Sequence, residues 1–397
     1  MEKRRVLFAY CLFITLVFYL FLPLRSAAAF SAQDLFTTAS TSGSSGQVNI
    51  MDLLLGILLG KFFGQSASAD HSGQNTLNSS GKELIGFYAE WYGQDQSSYQ
   101  DFLSHTNQIG TIAPFWATLS ETGDLTNRGG DDHSAVVALA HKNQRQVLLL
   151  VNNAKATTGI APIDTMLENQ AARSQAIESI SAYIKKYHLD GVNIDFEGVS
   201  AARKQDLTTF MAELSRELKP QGYIVSMDVF PKENENNDVA AVYDYAALAS
   251  YTDKLIVMTY DHHGTWSDAG AIADISWVDR SVFYALNFIP KKKLYLGLAG
   301  YGYDWSVKGV TSLEYGEVSK LQQKYQANVL WDETSKSSHF SYQEKDGTSH
   351  QVWFENSRSL AYKLDLVKKY DLAGAALWKL GEEDPDFWPM LQTKWIP

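Results

Sequence analysis

From Lys82 onward the chain repeats one unit eight times: a short run rich in aliphatic and aromatic residues, then a stretch with helical periodicity. The runs are ELIGFYAEW, GTIAPFW, RQVLLLVNN, DGVNIDFE, YIVSMDVFP, DKLIVMTYD, KKLYLGLAGYG and AGAALWKLG. Between them, Ile177, Ile180, Ile184 and Tyr187 mark one face of a helix, and Leu207, Phe210, Leu214 and Leu218 mark another. A third face carries Leu360, Leu364 and Val367. Strands separated by helices pair in parallel through right-handed crossovers, and eight such units in about 315 residues suit a closed α/β architecture, the (β/α)₈ TIM barrel. An open doubly wound sheet is the alternative. It usually carries a Gly-rich phosphate turn after its first strand, whereas this chain reads GFYAEWYGQD there.

The seventh and eighth runs lie much further apart than the others. The excess, about residues 304–354, holds a helical pattern (Val318, Leu321, Tyr325) and a hairpin pattern that turns at Asp346-Gly347. It is read as a small α+β insertion between strand 7 and strand 8, beside the barrel mouth, where barrel loops grow and substrates bind. The catalytic barrel is therefore assigned to residues 82–397.

The N-terminus has a different character. MEKRR is a basic start, Val6 to Leu24 is an apolar run, and SAAAF offers an A-x-A site after Ala29. Residues 1–29 read either as a cleaved signal peptide or as a retained anchor, since a run of this length just spans a bilayer. Either reading puts the rest of the chain in the cell envelope or outside the cell. Residues 30–81 have the polar, small-residue composition of a flexible linker, interrupted by the apolar segment 50–64. Membrane association through residues 6–24 and 50–64 is expected, and the barrel itself is expected to be a monomer.

The sole cysteine, Cys11, lies in the first apolar run, which excludes disulfides, thiolate-bound zinc and a cysteine nucleophile from the barrel. The formal charge is -11, and residues 1–29 set Lys3, Arg4, Arg5 and Arg25 against Glu2, so the remainder carries -14. Nucleic acid is not an expected partner of so acidic a body.

The fourth run continues as LDGVNIDFEGV, Leu189 to Val199. In a strand, Val192, Ile194 and Phe196 point one way while Asn193, Asp195 and Glu197 point the other. Desolvating a carboxylate costs several kcal/mol, so the polar row must line water or a working site. In a barrel that row faces inward, and Glu197, its last member, stands at the C-terminal mouth where barrel active sites form.

The spacing of Asp190, Asn193, Asp195 and Glu197 resembles the signature of family 18 glycoside hydrolases, the family of chitinases and related N-acetylglucosaminidases. MTYD, Met258 to Asp261, looks like the sixth-strand motif of that family, and Trp378 falls where the family keeps a tryptophan under its sugar site. Asn193, the insertion and the export signal with its spacer look most similar to the spore-cortex and peptidoglycan-hydrolysing branch. The resemblance implies a retaining glycosidase acting on a polysaccharide, without metal or cofactor, by substrate-assisted catalysis in which the sugar's own acetamido oxygen is the nucleophile.

It further implies that Glu197 is the acid and then the base, that Asp195 steadies the positive oxazolinium, and that Tyr260 donates to the acetamido oxygen. Trp378, Met258 and Asp261 would bind the sugar; Trp91, near a predicted strand end, is a further candidate sugar contact and as readily core or rim packing. Chitinases usually carry a third Asp where this chain has Asn193, and their Ser-x-Gly-Gly on the third strand is replaced by VNNA. Asn hydrogen-bonds but does not titrate. Peptidoglycan is the favoured substrate; a chitin oligosaccharide hydrolase and a sugar-binding barrel without activity are the alternatives.

Other candidates have bland readings. Trp116, Trp266 and Trp305 sit near strand ends and are as readily core or rim as sugar platforms. Asp261-His262-His263-Gly264 suggests a metal site only superficially, because adjacent histidines face different ways and no partner cluster accompanies them.

Overall fold

The computed structural model describes residues 81–395, apart from 92–94, 131, 155–160 and 236–238. The N-terminal signal or anchor, the linker up to residue 80 and the apolar segment 50–64 lie outside the described residues. Among those that are described, no helix is long and apolar enough to cross a membrane.

Eight parallel strands close into a barrel: β1 (Glu83–Tyr88), β2 (Thr111–Leu119), β4 (Gln146–Asn153), β5 (Gly191–Asp195), β6 (Ile224–Val229), β7 (Lys254–Val257), β8 (Leu294–Ala299) and β14 (Gly374–Trp378). They follow one another around the ring in chain order, and β1 pairs with both β2 and β14 to close it. β3 (Leu125–Asn127) is a short antiparallel addition to β2. The architecture is the (β/α)₈ barrel that the strand–helix alternation predicts.

The outward faces of the strands pack on the helices. Val192, Ile194 and Phe196 share one buried cluster with Ile180, Ile184, Leu207, Phe210 and Leu214 from the helices Gln170–Tyr187 and Lys204–Leu218. Burying each large aliphatic side chain contributes roughly 1.5–3 kcal/mol relative to leaving it exposed, and this shell is what holds the inner polar row in place. At Gly191 a Cβ would lie 2.1 Å from the Ile224 carbonyl oxygen, so only glycine lets β5 and β6 approach here. Asp190, just before it, accepts from the Val147 N–H (2.7 Å) and faces His141 Nε2 (3.0 Å). The first acid of the signature is thus a fastener at the N-terminal end of the sheet, far down the strand from the mouth.

The barrel interior is filled by Ile85, Phe87, Ala113, Phe115, Leu150, Ile256, Tyr295 and Ala376. Below them sits a polar plug. Lys254 Nζ donates to Glu83 Oε1 (2.7 Å) and to Thr111 Oγ1 (2.9 Å), while Tyr295 donates to Glu83 Oε2 (2.5 Å).

The insertion is a five-stranded antiparallel sheet in the order β10-β9-β13-β12-β11, covered on one face by the helix Tyr315–Tyr325. Its strands are β9 (Tyr301–Ser306), β10 (Gly309–Glu314), β11 (Leu330–Asp332), β12 (Ser337–Gln343) and β13 (Ser349–Phe354). β9 follows β8 after one residue, which carries Tyr301, Tyr303 and Trp305 directly from the barrel rim into the new sheet. β12 and β13 form the hairpin around Asp346-Gly347, with Gly347 at a φ of 89°.

Candidate active site

The site is assembled from the C-terminal ends of the strands. Asn193 is 1% exposed and lies inside the barrel on β5. Its Nδ2 donates to Asp228 Oδ2 (2.6 Å), and its Oδ1 accepts from the Ser226 hydroxyl (2.7 Å), both on β6. The register that pairs Asn193 with Ser226 brings Asp228, two residues on, level with Asp195. On the other side Asn152 of β4 pairs with Asp195, and Thr118 of β2 donates to Asn152 Oδ1 (2.6 Å). A polar layer therefore crosses four adjacent strands at one height.

Two atoms of that layer stand out. Asp195 Oδ1 and Asp228 Oδ1 are both sealed from solvent and without a hydrogen-bond partner. Burial pushes the Asp195 carboxyl up to about 7. It pushes Asp228 well above the usual carboxylate range too, reinforced by the charge of Asp195 and, more weakly, of Glu197, while the Asn193 hydrogen bond works the other way. A second buried negative charge beside the first is what the site resists.

Glu197 lies two residues beyond the end of β5 and is half-buried. Its backbone is nevertheless fixed. Asn153, the last residue of β4, accepts from the Glu197 N–H (2.8 Å) and donates through Nδ2 to the Glu197 carbonyl (2.9 Å). Tyr243, fully buried, donates to the carbonyl of Phe196 (2.7 Å). The acid candidate is thereby held on rigid scaffold although no strand ladder reaches it.

Tyr260 comes just past β7, half-buried. Its hydroxyl keeps its proton well beyond the ordinary phenol range, chiefly through burial and then through the charges of Asp228, Asp195, Glu197 and Asp261. Those influences place Tyr260 among the carboxyls of β5 and β6. Its ring is accommodated by Gly297 of β8, where a Cβ would meet Tyr260 Cε1 at 2.9 Å. Asp261 takes a φ of 59°, which aspartate tolerates, and its Oδ1 accepts from Tyr301 (2.5 Å) and Tyr303 (3.0 Å). Burial pushes its carboxyl up to about 6 against the pull of the two hydroxyls. Met258 is buried, 5% exposed, at the end of β7.

Trp378 closes β14, half-buried, with its ring 5.5 Å from that of Phe87 and 6.5 Å from that of Phe115. It touches both the interior of the barrel and the cluster of Tyr301, Tyr303 and Trp305, against which Tyr260 and Trp353 also pack. Trp91, after β1, meets Phe115 edge-on (5.9 Å) and lies under Lys379 Nζ (6.0 Å).

The remaining tryptophans sort themselves. Trp116 is core, stacked on His133 at 3.7 Å. Trp305 is buried and donates its Nε1 to the carbonyls of Gly264 and Ser267. Trp266 is 44% exposed. His262 stacks on Trp277 (4.5 Å) while His263 Nδ1 faces the Asp268 carbonyl (3.1 Å), so the two histidines do go separate ways. Among the described residues, no three His, Cys, Asp or Glu side chains gather as metal ligands.

Asp228, Ser226 and Asn153 have no counterpart among the residues that the sequence points to. For Asp228 a signal existed: YIVSMDVFP places Ser226 and Asp228 on one face by the same alternation that marks β5. Asn153 and its clamp had none, because the contact joins residues 44 apart in the chain.

A closed barrel with an acid at its C-terminal mouth, polar side chains beneath and an aromatic floor is the apparatus of a carbohydrate-cleaving enzyme. Residues 83–383 match the family described as glycosyl hydrolases family 18, and the chain belongs to it. It is similar to YvbX of Bacillus subtilis (strain 168), described as an uncharacterized glycosylase, with 29% identity over 75% of this chain and 88% of that protein. It is also similar to the cortical fragment-lytic enzyme of Bacillus anthracis, with 26% identity over 72% of this chain and 70% of that one. Among solved structures, the Bacillus cereus spore cortex-lytic enzyme SleL shares the fold at a TM-score of 0.72 and 24% identity, over 80% of this chain and 75% of that one. The protein is a family 18 glycosidase.

Proposed function

We propose that the enzyme cleaves the β-1,4 bond after an N-acetylglucosamine in peptidoglycan, in the spore cortex or cell wall, by substrate-assisted retaining catalysis. The observation that carries this reading is the position of Glu197, held by Asn153 at the mouth beside Asp195 and Tyr260. Glu197 gives its proton to the leaving glycosidic oxygen as the acetamido oxygen attacks the anomeric carbon. The oxazolinium that forms is positive, and Asp195 supplies the opposing charge next to its N–H. Tyr260, protonated at any working pH, donates to the acetamido oxygen and aligns it. Intramolecular attack in a held geometry reaches effective molarities of roughly 10⁵–10⁸ M, so no enzyme nucleophile is needed. Water, deprotonated by Glu197, then attacks the anomeric carbon from the face the leaving group left, opening the oxazolinium ring with net retention and returning the acid to its starting state.

Trp378 and Trp91 offer faces for the sugar, with Met258 and Asp261 bounding it. Peptidoglycan is favoured over chitin because relatives are named as cortical fragment-lytic enzymes and because VNNA replaces the chitinase pattern on the third barrel strand. The N-terminal sequence supports export, with the barrel on the outer side of the membrane and contact with it through residues 6–24 and 50–64; the barrel is taken to act as a monomer. The test is digestion of purified spore-cortex peptidoglycan and of chitin oligomers, with the new reducing end identified by mass spectrometry. New N-acetylglucosamine reducing ends from peptidoglycan are expected. Products from chitin alone, or from neither, overturn the reading.

A further inference from the structure

Asp228 takes no part in the reaction just described, yet it is the most deeply buried carboxyl of the site. Its side chain is 1% exposed, Asn193 holds its Oδ2, and its Oδ1 has no partner. Asp195, level with it on the neighbouring strand, also has an Oδ1 sealed and unpartnered. The titratable groups facing Asp228 are Asp195 and Glu197 from β5 and the turn beyond it, and Tyr260 from the end of β7, all anionic or neutral. Two carboxyls buried side by side do not both ionise, and one proton between them is the usual settlement.

We infer that Asp228 is a positioning residue that shares a single proton with Asp195 across the β5–β6 pair, with Asn193 orienting it for that purpose. Asn193 decides where the proton goes. Its Oδ1 is committed to the Ser226 hydroxyl, so its Nδ2 must donate to Asp228 Oδ2, which leaves the unpartnered Oδ1 as the open site for a proton. Asp195 can therefore leave the proton with Asp228 and stand as an anion beside the oxazolinium, then take it back when the charge has gone. No bond to carbon is involved, and one proton moves between two oxygens. The carboxyl that Asn193 lacks has moved one strand over.

The inference rests on the catalytic reading for its kinetic arm, while its second arm reads the unliganded protein and holds even if no substrate is turned over. Asp228→Asn is expected to lower kcat on peptidoglycan by about 10–100-fold with KM within about threefold. The acidic limb of its pH–rate profile should move to lower pH, because Asp195 then loses its proton nearer the ordinary range and the anion it must become is present there. Moving the carboxyl back, in Asn193→Asp combined with Asp228→Asn, should recover most of the loss. By infrared difference spectroscopy, the unliganded protein at neutral pH should show a protonated carboxyl that Asp228→Asn lacks and the double variant regains.

An unchanged kcat and pH profile in Asp228→Asn, or an unchanged carboxyl signal, overturns the inference. So does a loss of kcat with the profile in place and no recovery in the double variant, which is what a merely structural role predicts. If Asp228→Asn fails to fold, the double variant decides alone: activity with the carboxyl signal supports the shared proton, and loss of both refutes it.

Discussion

At the N-terminal end of the barrel, Glu83, Thr111, Lys254 and Tyr295 meet on inward positions of β1, β2, β7 and β8. At the C-terminal end, Asn193, Asp195, Asp228 and Tyr260 meet on β5, β6 and the end of β7. Both clusters are buried and polar, and β7 contributes to each. The lower one contains a cation, and each oxygen of Glu83 is engaged, by Lys254, Thr111 or Tyr295. Burial alone would push Glu83 up, but the charge and hydrogen bonds of Lys254, with those of Thr111 and Tyr295, hold it below the usual range. The upper cluster gathers carboxyls with no cation acting on Asp195 or Asp228 among the described residues, and it leaves two oxygens unpartnered. Burial there outweighs the one opposing hydrogen bond, from Asn193 to Asp228, and the carboxyls move up. A satisfied cluster holds a fold together; an unsatisfied one stores the capacity to bind something that is not yet there.

Substitutions at the two ends should separate these roles. Glu197→Gln should cost about 10³-fold or more in kcat with the thermal transition unchanged, checked by single-turnover cleavage alongside calorimetry. Lys254→Met should do the reverse: leaving Glu83 buried without its partner is expected to cost about 3–5 kcal/mol of stability by denaturant titration, while KM for any fragment that is cleaved stays put. A catalytic loss there as large as that of Glu197→Gln would break the distinction between the two ends.

Asn153→Ala tests whether position alone matters at the mouth. About a tenfold loss of kcat with KM unchanged is expected, since Glu197 keeps its carboxyl but loses both backbone anchors. Asn153→Asp, which retains the acceptor for the Glu197 N–H, should recover part of it.

The smallest effect is in the pH dependence of stability. The folded-state values of Asp195 and Asp228 are raised, so their contribution is fully present below the ordinary carboxylate range near pH 4 and is lost as pH rises toward about 7 and beyond. Glu83 is lowered, so its contribution is present above that range and is lost as pH falls through its depressed value. Asp195→Asn should flatten the decline of Tm between about pH 4 and 7 by a few degrees and leave the acid side alone. Glu83→Gln should alter the acid side.

How far the chain could be read depended on the distance over which each contact acts. The polar face of β5 was legible because alternation is a property of one strand, and Val192, Ile194 and Phe196 had to find an apolar shell. Tyr260 and Trp378 were legible through resemblance, in segments that run onto one rim. Asp228 carried the same alternation on β6, but a Ser and an Asp in an otherwise apolar strand gain meaning only beside Asn193 and Asp195. The pair Glu83 and Lys254, 171 residues apart, left no local trace at all.

From its order of residues alone the chain settled its strand–helix rhythm, its closed barrel and the side of β5 that turns inward, because periodicity and burial act over a few residues at a time. Which carboxyls share a height, which backbone Asn153 grips and which oxygens stay unpartnered were decided by strand register around the ring. Register is a property of neighbours rather than of segments. It is set only when all eight strands close together.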